Sequence, residues 1–179
     1  MNKPRFAVLI GMIMVATAMR LLPHPPNFTP ITAMALFGGA CFADKRAAFL
    51  VPLLGLFLSD LVLGFHDLMP VVYGSFILTV CLGFWLRQRR SVPAIMGASI
   101  AAAVMFFVLT NLGVWAFDAM YPKTMAGLEE CFVMAIPFFG NTLLSSLFYS
   151  AVLFGGLEAV RKIGADHAER NFAFWRGVE

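Results

Sequence analysis

Charge is scarce in this sequence. Only 13% of the 179 residues are Asp, Glu, Lys or Arg, whereas 60% are hydrophobic, and the mean hydropathy is +0.83. A water-soluble domain of this size does not need so much apolar surface to build its core. The composition therefore excludes a soluble globular domain and predicts an integral protein of the lipid bilayer.

Catalytic and metal-binding signatures are missing as well. The sequence contains no Walker loop, no HExxH, no GxSxG and no CxxC pair. Its three histidines all fall outside the apolar runs, which disfavours a haem held between two helices. An intramembrane aspartyl protease needs two facing aspartates, but Asp60 stands alone in its apolar run. We therefore expect neither an enzyme nor a bound cofactor or metal.

Apolar runs are what the sequence has in abundance. Short charged islands separate six runs of about 14 to 25 residues, and a helix needs about 20 to cross a bilayer. This pattern predicts one domain over 1–179, an all-α membrane protein folded as a compact six-transmembrane-helix bundle. The second run is short, so the chain before it is expected to dip into the membrane. The predicted spans are 6–22, 30–43, 47–65, 70–86, 93–117 and 139–160, followed by a cytoplasmic tail over 161–179.

Lysine and arginine decide the orientation, because cytoplasmic flanks retain them. With the N-terminus inside, only Arg20 and Lys123 lie outside, and the other eleven of the 13 basic residues lie inside. Both termini are therefore predicted to be cytoplasmic, in the inner membrane of a bacterial cell. The same bias accounts for the net charge of +3, so no nucleic-acid partner is expected. A signal peptide cleaved near 16–18 is the competing interpretation of the first run.

Polar side chains collect near the outer end of the predicted bundle. Polar groups in a membrane must face water or the bundle interior, so this common depth predicts a cup that opens outward and is sealed on the cytoplasmic side. The proline-rich loop PHPPNFTP at 23–30 is expected to form a lid or wall of this cup; the alternative is a rigid connector in which Asn27 caps the second helix. The predicted substrate-binding residues are His24, Asn27, Phe28, Thr29, Asp60, Tyr73, Asn111, Trp115 and Asn141.

Asp60 is the most costly residue to place in lipid, and two roles fit it. Either its carboxylate contacts a ligand in the cup, or it is held by an ion pair with Arg20 or by a hydrogen bond to Asn111. The sequence leaves both roles open.

Three other segments carry expectations of their own. The last outer loop is expected to contain a short interfacial helix that begins near Thr124 and ends at Pro137. The RQRR segment at 87–90 is either a site for a cytoplasmic partner or a consequence of the cytoplasmic preference of basic residues. Ala7 and Gly11 allow close helix approach, so they mark a surface for another membrane subunit if they face lipid.

The order of several strings resembles a known family. LLPHPPNFTPITAMALFGGACF is followed by LVPLLGLFLSDLVLGFHD, TNLGVW, YPKT and IPFFGNTL. Together they resemble an uncharacterised family of bacterial membrane proteins assigned to transport, whose members are similar to the substrate-binding S components of energy-coupling factor (ECF) vitamin transporters. The resemblance covers nearly the whole chain through Glu158.

This resemblance implies an S-component-like fold and mechanism. The protein would capture a vitamin-like nutrient from outside and reorient against a transmembrane coupling subunit driven by cytoplasmic ATPases, with Ala7 and Gly11 on the coupling face. Cys81 would bind a metal only if the ligand were a corrinoid. The alternative from another class is an accessory or assembly subunit that transports nothing, but such a subunit has no reason to collect its polar groups in one outward cup.

Overall fold

The computed structural model describes residues 3–176, with side chains over 6–163, and within these ranges it is entirely helical. The all-α prediction is confirmed. Four helices, over Lys45–Leu63, Met69–Leu86, Val92–Phe117 and Met125–Ile163, are long and apolar enough to cross a membrane, whereas the apolar helices over Phe6–Arg20 and Ile31–Cys41 are shorter. The elements in chain order are α1 (Lys3–Arg20), α2 (Ile31–Cys41), α3 (Lys45–Leu63), α4 (Met69–Leu86), α5 (Val92–Phe117) and α6 (Met125–Arg176).

Helix α2 lies at the centre of the bundle and contacts each of the other five helices. All 11 of its residues are buried. Its sequence is apolar on every side, which is typical of a helix enclosed by protein. At about 1.5 Å per residue it is only about 16 Å long, well short of the roughly 30 Å hydrocarbon layer. The short second run of the sequence therefore forms a central buried helix around which the longer helices pack.

Glycines bring α2 into direct contact with α4. A Cβ atom on Gly39 would lie 2.1 Å from the carbonyl oxygen of Val80, and one on Gly83 would lie 2.4 Å from that of Leu36. The two backbones therefore touch, and neither glycine position has space for a side chain. This crossing fixes the position of α2 along α4.

Two arginines bind the C-terminal end of α2. Arg87 donates from Nε to the carbonyl oxygen of Gly39 at 2.9 Å and from Nη2 to that of Phe42 at 2.7 Å. Arg90 donates from Nη2 to the carbonyl oxygen of Ala40 at 2.5 Å. The last carbonyls of a helix lack intrahelical partners and form the negative end of its dipole, so both arginines stabilise α2. The arginine-rich segment thus has a structural role that neither interpretation of the sequence included.

Helix α6 continues through Pro137, so the predicted interfacial helix ending at that proline is wrong. A proline removes one backbone donor, but a helix tolerates this loss where neighbouring helices hold it. Here Phe132 and Phe139, on either side of the proline, both pack against Phe107 of α5. Helix α6 therefore extends beyond the predicted last span, 139–160, at both ends. Helix α6 also includes most of the predicted tail, of which 177–179 lie outside the described residues.

The two ends of the bundle differ in their polar groups. At one end, Arg20 of α1 meets Asp60 of α3, and Asn141 of α6 donates to the carbonyl oxygen of Pro26 in the α1–α2 loop. We call this the polar end. The opposite end, where α4 ends and α3 and α5 begin, carries the arginine-rich segment, and we call it the basic end. The distribution of lysine and arginine predicts that the basic end is cytoplasmic.

Candidate ligand-binding site

A cavity of about 350 Å³ lies at the polar end, and its volume is within the range of small-molecule sites. We call this cavity the cup. Residues of α1, α2, α4, α5, α6 and two loops line it, so it is enclosed by most of the bundle. Its aromatic wall consists of Phe106, Phe107 and Phe138. Its polar lining consists of Arg20, Asn27, Thr29, Thr32, His66, Thr110, Asn111, Thr142 and Ser145.

Three of the predicted substrate-binding residues line the cup, namely Asn27, Thr29 and Asn111. Asn111 donates from Nδ2 to the carbonyl oxygen of Phe107 at 2.8 Å. This bond fixes the amide on its own helix and leaves Oδ1 as an acceptor for other groups. Among the described residues the Asp60 carboxylate accepts from Arg20 and Tyr73, and the predicted hydrogen bond from Asn111 is not formed.

The predicted set of substrate-binding residues leaves out several hydroxyl groups that line the cup. Thr142 and Ser145 lie three residues apart on α6, a spacing that places them on one helix face. Thr32 lies on the first turn of α2, and all three side chains are buried. The three-residue spacing of Thr142 and Ser145 is the signal that could have identified this pair from the sequence.

An ion pair forms behind the wall of the cup. Arg20 Nη1 lies 2.5 Å from Asp60 Oδ1 and 2.5 Å from Ser59 Oγ, and Tyr73 donates its hydroxyl to Asp60 Oδ2 at 2.8 Å. The Asp60 side chain is 3% exposed, and neither it nor Tyr73 lines the cup. The predicted ion pair of Asp60 with Arg20 is therefore confirmed. Tyr73 supports that pair from α4.

Arg20 is the charged residue that reaches the cup from this cluster. All its hydrogen bonds leave from Nη1, including a long one of 3.4 Å to the carbonyl oxygen of Leu56. Its Nε atom is buried without a hydrogen-bond partner. A buried donor without a partner is costly, so the hydrogen-bonding capacity of this guanidinium is not fully used within the described part of the chain.

The α1–α2 loop forms a wall of the cup that is bonded to α6. Asn141 donates from Nδ2 to the carbonyl oxygen of Pro26 at 2.9 Å, and Phe28 packs against Phe148 and Tyr149. Asn27 adopts a positive φ of 61°, and its side chain does not cap α2, so the predicted capping role is wrong. Asn141 and Phe28 therefore hold the loop in place and do not line the cup.

His24 and Trp115 also lie outside the cup. The exposed ring of His24 bonds to the carbonyl oxygens of Pro25, at 3.0 Å, and Arg20, at 3.2 Å. Trp115 donates from Nε1 to the carbonyl oxygen of Pro122 at 3.0 Å, and its own carbonyl accepts from Lys123. Trp115 thus holds the α5–α6 loop in place. The aromatic wall of the cup is formed by phenylalanines that were not among the predicted residues.

The remaining predicted residues lie on the outer surface of the bundle. Ala7 and Gly11 are both exposed on α1, and a Cβ atom added at Gly11 would meet nothing within 4 Å. This surface is therefore open to another helix. Cys81 is exposed on α4 and does not line the cup, so it has no access to a corrinoid bound there.

The comparisons with known proteins assign a family and no activity. No curated protein and no solved structure matches the chain. Residues 1–167 match a family of unknown function, DUF6580, and this range includes α1 to α5, most of α6 and the lining of the cup. The chain therefore belongs to the DUF6580 family of unknown function.

Proposed function

We propose that this protein is the substrate-binding membrane subunit of an uptake transporter for a small, vitamin-like nutrient. The ligand enters the cup from outside the cell, and the protein resides in the bacterial inner membrane with both termini in the cytoplasm. The observation that carries the proposal is the cup itself, a cavity of about 350 Å³ at the end opposite the basic end.

The packing of the basic half supports a binding cup over a channel. A channel needs polar lining at both depths. Here edge-on aromatic pairs pack around α2 in the interior of the basic half, Phe6 with Phe42 and Phe37 with Phe154, and their ring centres are 5.7 and 5.2 Å apart. A ligand that reaches the cup therefore stops there until the bundle moves.

The chemistry of the cup supports a ligand rich in hydrogen-bond acceptors. Its lining includes several hydroxyls, two amides, the Arg20 guanidinium and the His66 imidazole, and no carboxylate. The phenylalanine wall favours a flat or amphipathic body. A ligand with an acceptor group directed at Arg20 and an apolar ring satisfies both sides of this site.

The exposed surface of Ala7 and Gly11 supports a partner subunit. Small residues let two helix backbones approach closely in lipid. A transmembrane coupling subunit with cytoplasmic ATPases would supply the energy for transport. The same surface also suits the alternative function, an accessory or assembly subunit that binds no nutrient.

A thermal-shift screen of the detergent-purified protein against vitamins, corrinoids, nucleobases and amino acids tests the proposal. A ligand at 100 times its dissociation constant stabilises the folded state by about 2.7 kcal/mol, which the screen detects. We expect at least one class to raise the Tm. A blank across the panel, together with a stoichiometric partner in a native pull-down, would favour the accessory subunit.

Two threonine substitutions then locate the ligand. Thr32→Val removes a hydroxyl from the cup, whereas Thr79→Val removes a buried hydroxyl that bonds to Ser75 within α4 at 2.9 Å and lies outside the cup. We expect Thr32→Val to weaken ligand binding about fivefold, the effect of one net hydrogen bond, and Thr79→Val to leave it unchanged. Equal effects of the two substitutions would place the ligand elsewhere.

A further inference from the structure

A second cavity opens on the flank of the bundle at the basic end. It has a volume of about 410 Å³ and lies between the first turns of α5 and the part of α6 that passes them. At its floor the two helices are in contact, because Ser99 donates its hydroxyl to Ser150 Oγ at 2.8 Å. Both serines are almost completely buried. We call this cavity the flank groove.

Small residues of α6 create the flank groove. Ala151 and Gly155 lie one turn apart in its lining, and a Cβ atom on Gly155 would meet nothing within 4 Å. Apolar side chains complete the walls, among them Met96 of α5, which is half exposed. An open, apolar groove on the side of a membrane helix bundle has the chemistry of a site for a lipid acyl chain.

Charged side chains line the groove as well. Arg90 and Arg161 carry two positive charges there and Glu158 one negative charge, which leaves an excess of one positive charge. The bond from Arg90 to Ala40 fixes that arginine in place, while Arg161 is exposed and 3.3 Å from Glu158. A single phosphodiester complements this excess charge, and arginine binds phosphate oxygens in two-point geometry.

We propose that the flank groove binds an anionic phospholipid of the cytoplasmic leaflet, with one acyl chain along Ala151 and Gly155 and the phosphate at Arg90 and Arg161. Basic pockets between membrane helices on the cytoplasmic side recognise anionic head groups in this way. The site is separate from the cup, so the proposal stands whether or not the cup binds a nutrient.

The test measures binding of phosphatidylglycerol and of phosphatidylcholine to the detergent-purified protein by native mass spectrometry. The two lipids share their acyl chains and differ in net charge. With about a fivefold gain in affinity for each arginine near the phosphate, we expect phosphatidylglycerol to bind at least tenfold more tightly. Equal binding of the two lipids, or binding of neither, would overturn the proposal.

Substitutions then locate the site. Gly155→Leu fills the groove, whereas Gly140→Leu adds the same side chain at another open position of α6 outside the groove lining. We expect only Gly155→Leu to abolish phosphatidylglycerol binding. Equal binding by the two variants would contradict the proposed acyl-chain position.

A charge variant tests the head-group contact without disturbing α2. Arg161→Gln removes one of the two positive charges and leaves the Arg90 bond to α2 intact, while Lys45→Gln removes an exposed charge at the same end of the bundle outside the groove. We expect Arg161→Gln to lower the preference for phosphatidylglycerol about fivefold and Lys45→Gln to leave it unchanged. Equal losses in both variants would mean that the lipid responds only to the overall charge of this end.

Discussion

Two arginine–carboxylate pairs at opposite ends of the bundle differ in burial. Arg20 and Asp60 approach to 2.5 Å at the polar end, with side chains 12% and 3% exposed. Arg161 and Glu158 are 3.3 Å apart at the basic end, with side chains 60% and 55% exposed. The chemistry is the same, so the difference in surroundings decides what each pair can do. The buried pair fixes the wall of the cup, whereas the exposed pair leaves its arginine available to other anions.

Two further arginines at the basic end bind backbone carbonyls instead of a carboxylate. Arg87 and Arg90 bind backbone carbonyls at the end of α2, where the helix dipole supplies the negative charge. Both arginines occupy the same end as Arg161 and stabilise α2, and Arg90 also lines the flank groove. Three substitutions test how far burial and partner type account for these differences, and a fourth tests the helix contact beside the carbonyls of α2.

The largest effect is expected for Asp60→Leu. This substitution leaves the Arg20 guanidinium buried without its counterion, which costs about 3–5 kcal/mol of unfolding free energy. Equilibrium unfolding in detergent micelles measures the loss. The double substitution Arg20→Met with Asp60→Leu removes both charges and is expected to recover most of the stability. A double variant as unstable as Asp60→Leu would show that the pair stabilises the fold by more than the neutralisation of a buried charge.

Arg87→Met is expected to have the next largest effect. It removes the hydrogen bonds from Arg87 to Gly39 and Phe42, and bonds from a charged donor contribute about 1.5–3 kcal/mol in total when they are partly exposed. Arg89→Met is the control, because Arg89 is exposed and its guanidinium lies 5.1 Å from the centre of the Trp85 ring, a contact that contributes about 0.5–1 kcal/mol. Thermal unfolding of both variants measures the difference. Equal losses of stability in the two variants would show that the hydrogen bonds from Arg87 to the carbonyls of α2 do not stabilise the fold.

Gly39→Ala tests the backbone contact beside those carbonyls. The new methyl would lie 2.1 Å from the carbonyl oxygen of Val80, so α2 and α4 must move apart at a cost of about 1–3 kcal/mol. Gly97→Ala on α5 is the matched control, because a Cβ atom there meets nothing within 4 Å. The control is expected to keep its Tm or raise it slightly, since alanine favours a helix. A stable Gly39→Ala protein would mean that the crossing of α2 and α4 can shift.

The position of a residue along the bundle could be predicted from the sequence, but the direction in which its side chain points around the helix could not. Hydropathy and charge located the apolar helices and brought Arg20 and Asp60 to the same level, so their pairing was among the predicted alternatives. Tyr73 and Trp115 lie near the predicted level, yet Tyr73 binds Asp60 and Trp115 closes a loop. Which way a side chain turns depends on the neighbouring helices, and a pattern of polar residues does not contain this information.

Local signals failed where packing overrides them. A proline inside a helical pattern usually ends the helix. At Pro137 the contacts of Phe132 and Phe139 with Phe107 support α6 on both sides of the proline. The two interpretations of the arginine-rich segment, a partner site and the cytoplasmic preference of basic residues, both miss its contacts with α2, because the carbonyls that Arg87 and Arg90 bind lie about 50 residues earlier. Both errors arise from contacts between segments distant in the sequence.

The smallest effect is expected for Glu158→Gln, which breaks the exposed pair. Ion pairs three residues apart on an exposed helix face contribute less than about 0.5 kcal/mol, because water and salt screen both charges. The Tm should therefore stay unchanged, in contrast to Asp60→Leu. The same substitution removes the negative charge from the flank groove, so the affinity for phosphatidylglycerol should rise while that for phosphatidylcholine does not. A loss of stability near that of Asp60→Leu would contradict the claim that burial distinguishes the two pairs, because both would then hold the fold.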